Sequence, residues 1–350
     1  NDVFSKISKI LKKKKDYHLF VLVSTVLPGT SRNILLQKFY DNKVFNFGYC
    51  YSPAFIALGQ IIKDFLEPDF LLIGQLDKKS GTNLRNFYKS IYKKSMNYRI
   101  MSLESAEITK LSVNTYITNK ISYANMISEV AQRIPFTNID DITSAIGSDS
   151  RIGNKYLKAG LGFAGPCFPR DHKAISFIGK KIGADTSLAL TTEKFNLSLN
   201  KNNLKKYLKY FKKREKVAVL GLSYKPNTNS LDESQSLDLS NLLSKNKYKV
   251  FCHDKKLNTI DKKPFNKRIV FKKHLKQCIK NSKCIFITKD EQIYRDITPK
   301  SLKNKIVIDF WRILKNKKLD KSTTYFSHGD SFNNFETKIN QRNIVKNIES

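Results

Sequence analysis

From Glu104 to Ile134 the apolar residues return at helical spacing without a break, through Ala106, Ile108, Leu111, Ile117, Ile121, Ala124, Ile127 and Val130. So long an uninterrupted helical pattern predicts a rod that bridges two domains. The flanking sequence has another rhythm. Before the rod, His18 to Val23, Phe45 to Tyr51, Phe70 to Ile73 and Tyr98 to Met101 read as strands, with helices over Thr30 to Tyr40 and Gly81 to Tyr92. After the basic stretch Lys201 to Lys216 the strand candidates are Val217 to Leu222, Tyr248 to Cys252, Arg268 to Phe271, Cys284 to Thr288, Ile306 to Phe310 and Thr324 to Phe326. Both are the α/β alternation of a parallel sheet with crossover helices. Between them lies a helical region punctuated by glycine.

At 350 residues the chain has room for two or three domains. Its formal charge of +34 comes mostly from lysines scattered over the whole length. A nucleic-acid surface is one reading of such charge. No basic helix with base-reading residues, no zinc spacing and no aromatic RNA-binding signature accompanies it, so a solvated lysine-rich surface is expected instead, with no specific nucleic-acid partner. No apolar stretch approaches the ~18 residues of a membrane span, so no membrane partner is expected. Lys12 to Lys15 ahead of Leu19 to Val23 loosely mimics a signal peptide, but a buried strand explains that run better. Five cysteines without a C-x-x-C pair or a secretory segment predict reduced thiols in a cytoplasm. His274 and Cys278 share a helical spacing near Cys284, yet Cys284 reads as a core strand residue, and no metal site is expected.

The loop Gly160 to Asp171 places one thiol, Cys167, between glycines and prolines, with Arg170 and Asp171 just behind it. Glycine permits close backbone approach and proline fixes φ, so the loop reads either as a device that aims a nucleophilic sulfur or as a glycine turn beside a buried cysteine. Gly160 to Gly165 also spells G-x-G-x-x-G. The dinucleotide fingerprint needs a strand before it and a helix opening after it. A polar, basic stretch precedes it and Pro-Cys-Phe-Pro follows, so that reading is rejected. Lys110 and Asn114, four apart, share one face of the long helix.

Several separated segments resemble the UDP-glucose/GDP-mannose dehydrogenase family. Ser24 to Thr30 is similar to its S-T-V-x-P-G-T, Pro53 to Gly59 to its P-E-F-x-x-x-G, and Glu67-Pro68-Asp69 with Ile73-Gly74 to its P-D-x-x-x-I-G. Ala106 to Leu111 with Asn114, Ile121 and Asn125 resembles its central helix. Asp149 to Gly153, the cysteine loop, Gly221 to Thr228 and Ile308 to Arg312 follow in the family's order. The resemblance covers about residues 20 to 315 and implies two Rossmann-like parallel-sheet domains joined by a long central helix and a helical middle domain, with the N-terminal sheet incomplete. The expected divisions are 1–102 as the remnant of an NAD-binding domain, 103–200 as the central helical domain, 201–335 as the nucleotide-sugar-binding domain, and 336–350 as a polar tail.

The implied activity is oxidation of a nucleotide-sugar hydroxymethyl group to a carboxylate with two NAD⁺, UDP-glucose being the leading substrate and UDP-N-acetylhexosamine or GDP-mannose the alternatives. Cys167 would form the thiohemiacetal and thioester, Lys110 and Asn114 would stabilise oxyanions, and Asp171 and Thr25 would position water or relay protons. The resemblance assigns substrate contacts to Phe55, Tyr156, Leu157, Lys158, Gly162, Lys225 and Arg312, gives Arg151 a reach across a homodimer interface, and leaves Ser24 and Thr25 on the cofactor side.

Three departures accompany it. The family's P-E-F glutamate is Ala54 here, a second acidic position is Leu58, and no strand with a glycine fingerprint and ribose-binding acid precedes Ser24. The expectation is an N-terminally truncated enzyme that binds NAD weakly as it stands. A non-catalytic nucleotide-sugar binder is the competing reading, and a thiol hydrolase pairing Cys167 with His172 a third.

Overall fold

The computed structural model describes residues 2–92 and 95–331. In chain order its elements are α1 (Asp2–Leu11), β1 (His18–Leu22), a π turn (Ser31–Leu35) running into α2 (Gln37–Asp41), β2 (Phe47–Tyr51), α3 (Ile61–Leu66), β3 (Leu71–Gln75), α4 (Lys78–Ile91), β4 (Tyr98–Ser102) and α5 (Leu103–Ala131). There follow α6 (Ile139–Ser148), α7 (Phe168–Ile182), α8 (Ser187–Tyr207), β5 (Lys216–Leu220), α9 (Gln235–Lys245), β6 (Lys249–His253), β7 (Val270–Phe271), α10 (Leu275–Lys280), β8 (Cys284–Ile287), α11 (Gln292–Arg295), β9 (Ile306–Asp309) and β10 (Thr324–Ser327). The chain divides into two compact units. One takes in residues up to Thr115 together with Asp171–Ser187, and the other Tyr116–Arg170 with the residues from Leu188 on.

The first unit is built on a sheet of order β1-β2-β3-β4. β1 and β2 are parallel, as are β3 and β4, whereas β2 and β3 run antiparallel. The core gathers on one face around Phe39, whose ring stacks on Phe47 at 4.6 Å and meets Phe20 at 5.2 Å and Phe4 of α1 at 5.9 Å. Such aromatic pairs add to simple burial. α4 starts at Asp77, whose side chain accepts the Ser80 N–H at 2.8 Å, a cap worth about 1 kcal/mol. The run Leu19 to Val23, expected as a buried strand, is instead an edge strand, with Val21 and Val23 exposed. Among the described residues β1 pairs with β2 alone, which leaves its other backbone edge without a strand partner.

The second unit carries the all-parallel sheet β10-β9-β8-β5-β6-β7. β5, β6, β8 and β9 are near-continuous apolar runs with buried interiors, as a sheet covered on both faces requires. One core layer joins Val217, Val219, Leu239, Val250 and Phe286 to Tyr207 of α8, and the other joins Ala218, Leu220, Ile285, Ile287 and Val307 to Tyr294. The strand order turns back between β5 and β8, the switch point at whose carboxyl edge such sheets bind ligands. The long helix predicted over Glu104 to Ile134 runs from Leu103 to Ala131, and the boundary between the units falls within it. The expected tail from 336 lies outside the described residues.

Candidate functional site

In the first unit, one face of α5 holds three separate segments. Glu107, Lys110 and Asn114 stand at spacings of three and four and so lie one above another on the helix. The Glu107 carboxylate, fully buried, accepts the Gly29 N–H at 2.6 Å and the Ser31 N–H at 2.9 Å. One turn on, the buried Lys110 donates to the Ala54 carbonyl at 2.8 Å and lies 4.2 Å over the Phe55 ring. Asn114 donates to Asp171 at 2.5 Å, and Asp171 is fully buried. Ser24 is exposed and Thr25 half-buried on the loop that Glu107 anchors. Lys110, Asn114, Asp171 and Phe55 are thus brought together, with the lysine held by the Ala54 carbonyl.

In the second unit, the cysteine loop is shaped by what it packs against. The Gly160 N–H donates to the buried Asn125 Oδ1 at 2.9 Å. A Cβ on Gly160 would stand 2.7 Å from the Trp311 ring, and one on Gly162 would stand 2.2 Å from Asn196 Oδ1. Gly165, at φ +89°, has the Tyr224 ring 2.8 Å from where a Cβ would stand and donates its N–H to the Asp232 carbonyl at 2.9 Å. Residues 151–167 contain no strand, as expected, although α7 does begin directly after Cys167. The G-x-G-x-x-G spacing therefore records three close approaches and not a phosphate cradle. Cys167 is exposed, against the alternative of a buried cysteine, whereas Cys50, Cys252, Cys278 and Cys284 are buried. Burial pushes the Cys50 and Cys252 thiols up to about 12 and the other two higher still.

Of the other expected substrate residues, Leu157 is buried, and Tyr156 is half-exposed with φ +65°. Lys158 lies 3.9 Å from Asp290 and 5.9 Å from the Trp311 ring centroid. Lys225 sits 5.6 Å from the Tyr224 centroid. Arg151 projects into solvent and pairs with Asp149 at 2.6 Å, while Lys120 holds the Ile152 and Gly153 carbonyls beside it at 3.0 and 2.9 Å. Arg312 is different. Its buried guanidinium donates twice to Asp140, at 2.8 Å each, and to the carbonyls of Phe310, His328 and Ala159. All five donors of its fork are engaged within the protein. It braces the cysteine loop from the residue before Gly160 and holds no free fork for a diphosphate in this arrangement. Burial works to raise the Asp140 carboxyl, but the Arg312 pairing outweighs it and holds it below the usual range.

Two supports escaped the sequence reading. Glu107 had a legible signal, a carboxylate three residues before Lys110 on the same face. Asp140 had none, because its partner lies 172 residues away.

Comparison with known proteins accounts for this layout. The models of the UDP-glucose/GDP-mannose dehydrogenase family match in sequence order: the NAD binding domain over residues 1–94, the central domain over 104–198 and the UDP binding domain over 218–316. The chain belongs to this family. UDP-glucose 6-dehydrogenase of Rickettsia bellii (strain RML369-C) is 30% identical over 322 residues, covering 89% of this chain and 73% of that protein. The enzyme of the same name from Rickettsia prowazekii (strain Madrid E) is 27% identical over 327 residues, covering 91% and 75%. A solved structure of a UDP-glucose dehydrogenase from Pyrobaculum islandicum superposes with a TM-score of 0.84 at 25% identity, covering 94% of this chain and 75% of that one. The protein is a nucleotide-sugar dehydrogenase of this family, and its cofactor is NAD.

The residues after β1 fit that cofactor in part. Ser24 and Thr25 lie at the carboxyl edge of the parallel pair β1/β2, the ligand-binding edge of such sheets, and are the residues here that would face it. The following turn is no seat for a pyrophosphate, because Glu107 already takes its Gly29 and Ser31 N–H groups. Among the described residues, no helix is long and apolar enough to cross a membrane.

Proposed function

We propose that the protein oxidises the C6 hydroxymethyl group of UDP-glucose to the carboxylate of UDP-glucuronate through covalent catalysis at Cys167. NAD, when bound, takes up the hydrides. The hydroxyl first loses its proton as the carbon loses a hydride, leaving an aldehyde. The Cys167 thiol gives its proton to solvent as its sulfur adds to the aldehyde carbon, forming a thiohemiacetal whose oxyanion Lys110 and Asn114 stabilise. Loss of a second hydride from that carbon leaves a thioester. A water directed by Asp171 and Thr25 then cleaves it, releasing the carboxylate and the thiol and giving up one proton to solvent. The observation that carries the reading is Cys167 itself, an exposed thiol on a glycine-shaped loop in a chain whose other cysteines are buried.

In this reading, Phe55, Tyr156, Leu157, Lys158, Gly162 and Lys225 hold the nucleotide sugar, Arg312 braces the segment around Ala159, and the exposed Arg151 serves a partner's site in a cytoplasmic homodimer. The division into an NAD-binding part to 102, a central part to 200 and a nucleotide-sugar-binding part beyond belongs to the same proposal. Ala54 leaves thioester hydrolysis to Asp171 and Thr25.

The test is a panel of UDP-glucose, UDP-N-acetylhexosamines and GDP-mannose, counting NADH per sugar with the full-length protein and with Cys167→Ser. Two NADH per UDP-glucose, lost in the variant, is expected. One NADH per sugar, or a thioester that accumulates without turnover, would overturn the mechanism. Preference for another nucleotide sugar would replace the substrate, and absence of any turnover would favour a binding protein.

A further inference from the structure

We propose that Glu107 is a positioning residue for this reaction: its carboxylate sets the Ser24–Thr30 loop at a fixed distance from Lys110. The inference rests on the proposed function for its kinetic consequence, and on geometry alone for the anchoring. A carboxylate with no solvent contact is expensive unless fully hydrogen-bonded. Both Glu107 oxygens are used, one on the Gly29 N–H at 2.6 Å and one on the Ser31 N–H at 2.9 Å, and such charge-assisted bonds are the strong ones. Gly29 adopts φ +85°, a conformation that favours glycine at the point where the loop meets the carboxylate. From below, the Tyr49 hydroxyl of β2 donates to Ser31 Oγ at 3.0 Å, so the far end of the loop is held from the sheet as well as from α5.

What makes this more than loop packing is the register along α5. Glu107 takes the loop that follows β1, and Lys110, one turn on, takes the Ala54 carbonyl in the loop that follows β2. The two strands are parallel, so both loops leave the same carboxyl edge of the sheet. A single helical turn therefore fixes the spacing between the Thr25 loop and the Lys110 ammonium. If Thr25 handles a proton and Lys110 an oxyanion, a displacement of about 1 Å between them costs on the order of 10²-fold in rate.

The experiment compares Glu107→Gln and Glu107→Asp with the parent, as full-length protein. Gln keeps the shape but turns one acceptor into a donor facing an N–H, and Asp keeps the charge but is too short to span both donors. In either variant, hydrogen exchange over residues 24–31 should quicken by about 10-fold, the loss expected for one such bond, while β5 and β8 exchange as before. With UDP-glucose, kcat should fall between roughly 10- and 100-fold with the Michaelis constant nearly unchanged, counted per molecule whose Cys167 still reacts with iodoacetamide. A lower melting temperature with unchanged kcat per reactive thiol would mean a purely structural role and overturn the proposal. Unchanged exchange over 24–31 would overturn it whatever the activity. Should the parent itself release no NADH, the proposed function fails, while the exchange result still decides the anchor.

Discussion

Gly165 occupies a backbone conformation and a space that no side chain shares. At φ +89°, with the Tyr224 ring 2.8 Å from where a Cβ would stand, Gly165→Ala meets both strain and collision. The conformational part alone costs on the order of 1–3 kcal/mol, and the loop must shift to relieve the contact. We expect Gly165→Ala to change the rate at which iodoacetamide modifies Cys167 by several-fold or more and to lower turnover, with Gly153→Ala as control. Gly153 also has positive φ but open space around it. Equal effects of the two substitutions would show that strain, and not the Tyr224 contact, sets the loop. Sequence reading found the glycines and the single thiol but left its exposure open and missed this division of labour, because the Tyr224 ring approaches from 59 residues further along the chain.

Elements in this protein are joined by a few polar ties. Arg312, in the turn after β9, binds Asp140 in the first turn of α6, the Ala159 carbonyl ahead of the cysteine loop and the His328 carbonyl beyond β10. Lysine cannot reproduce it, since an ammonium offers three donors at a point where the guanidinium spreads five in a plane. Arg312→Lys is expected to lower the unfolding free energy by on the order of 2 kcal/mol, because an ammonium cannot serve Asp140 and the Phe310, His328 and Ala159 carbonyls together and leaves buried acceptors without a donor. Urea unfolding followed by far-UV dichroism would measure it, and a loss under about 1 kcal/mol would contradict the bracing role. Most elements were legible from periodicity, including the strands of the second sheet to within a residue or two. α1 was not, because its lysines mask a short apolar stripe that has meaning only against Phe39. The expected helix over Thr30 to Tyr40 divides at Leu36, whose N–H reaches back to the Ser31 carbonyl to close a wider turn.

At the scale of the whole molecule, acid should begin to destabilise the protein before its carboxylates titrate. His328 is fully buried and packed on Phe310 and Tyr207; burial, with Lys206 and Arg312 nearby, holds its imidazole well below the ordinary value. His253 is held low mainly by burial as well. The unfolded chain takes up protons near the ordinary histidine value of about 6.5, and the folded chain refuses them. Stability is therefore complete above that pH and is lost as pH falls through it toward the folded values, by up to about 1.4 kcal/mol per pH unit for each histidine. Melting temperature should drop between pH 7.5 and 5.5, and less so in His328→Asn. A flat profile in the parent would refute the argument. Lower still, the depressed carboxyls of Asp140 and Asp254, whose pairings with Arg312 and Lys289 outweigh burial, add a second loss as they protonate.

The sequence by itself determined the alternation of strands and helices, the long helix and the family, and it singled out Cys167, Lys110, Asn114 and Asp171 as candidates. Each of those depends on periodicity or on ordered local motifs, which survive in one dimension. Only the tertiary structure decided that Glu107 anchors a loop, that Arg312 spends its fork on Asp140 and three carbonyls, and that the glycines of the cysteine loop yield to Trp311, Asn196 and Tyr224. A buried charge is satisfied by whichever donors folding brings within about 3 Å, and those partners lie tens to hundreds of residues away along the chain.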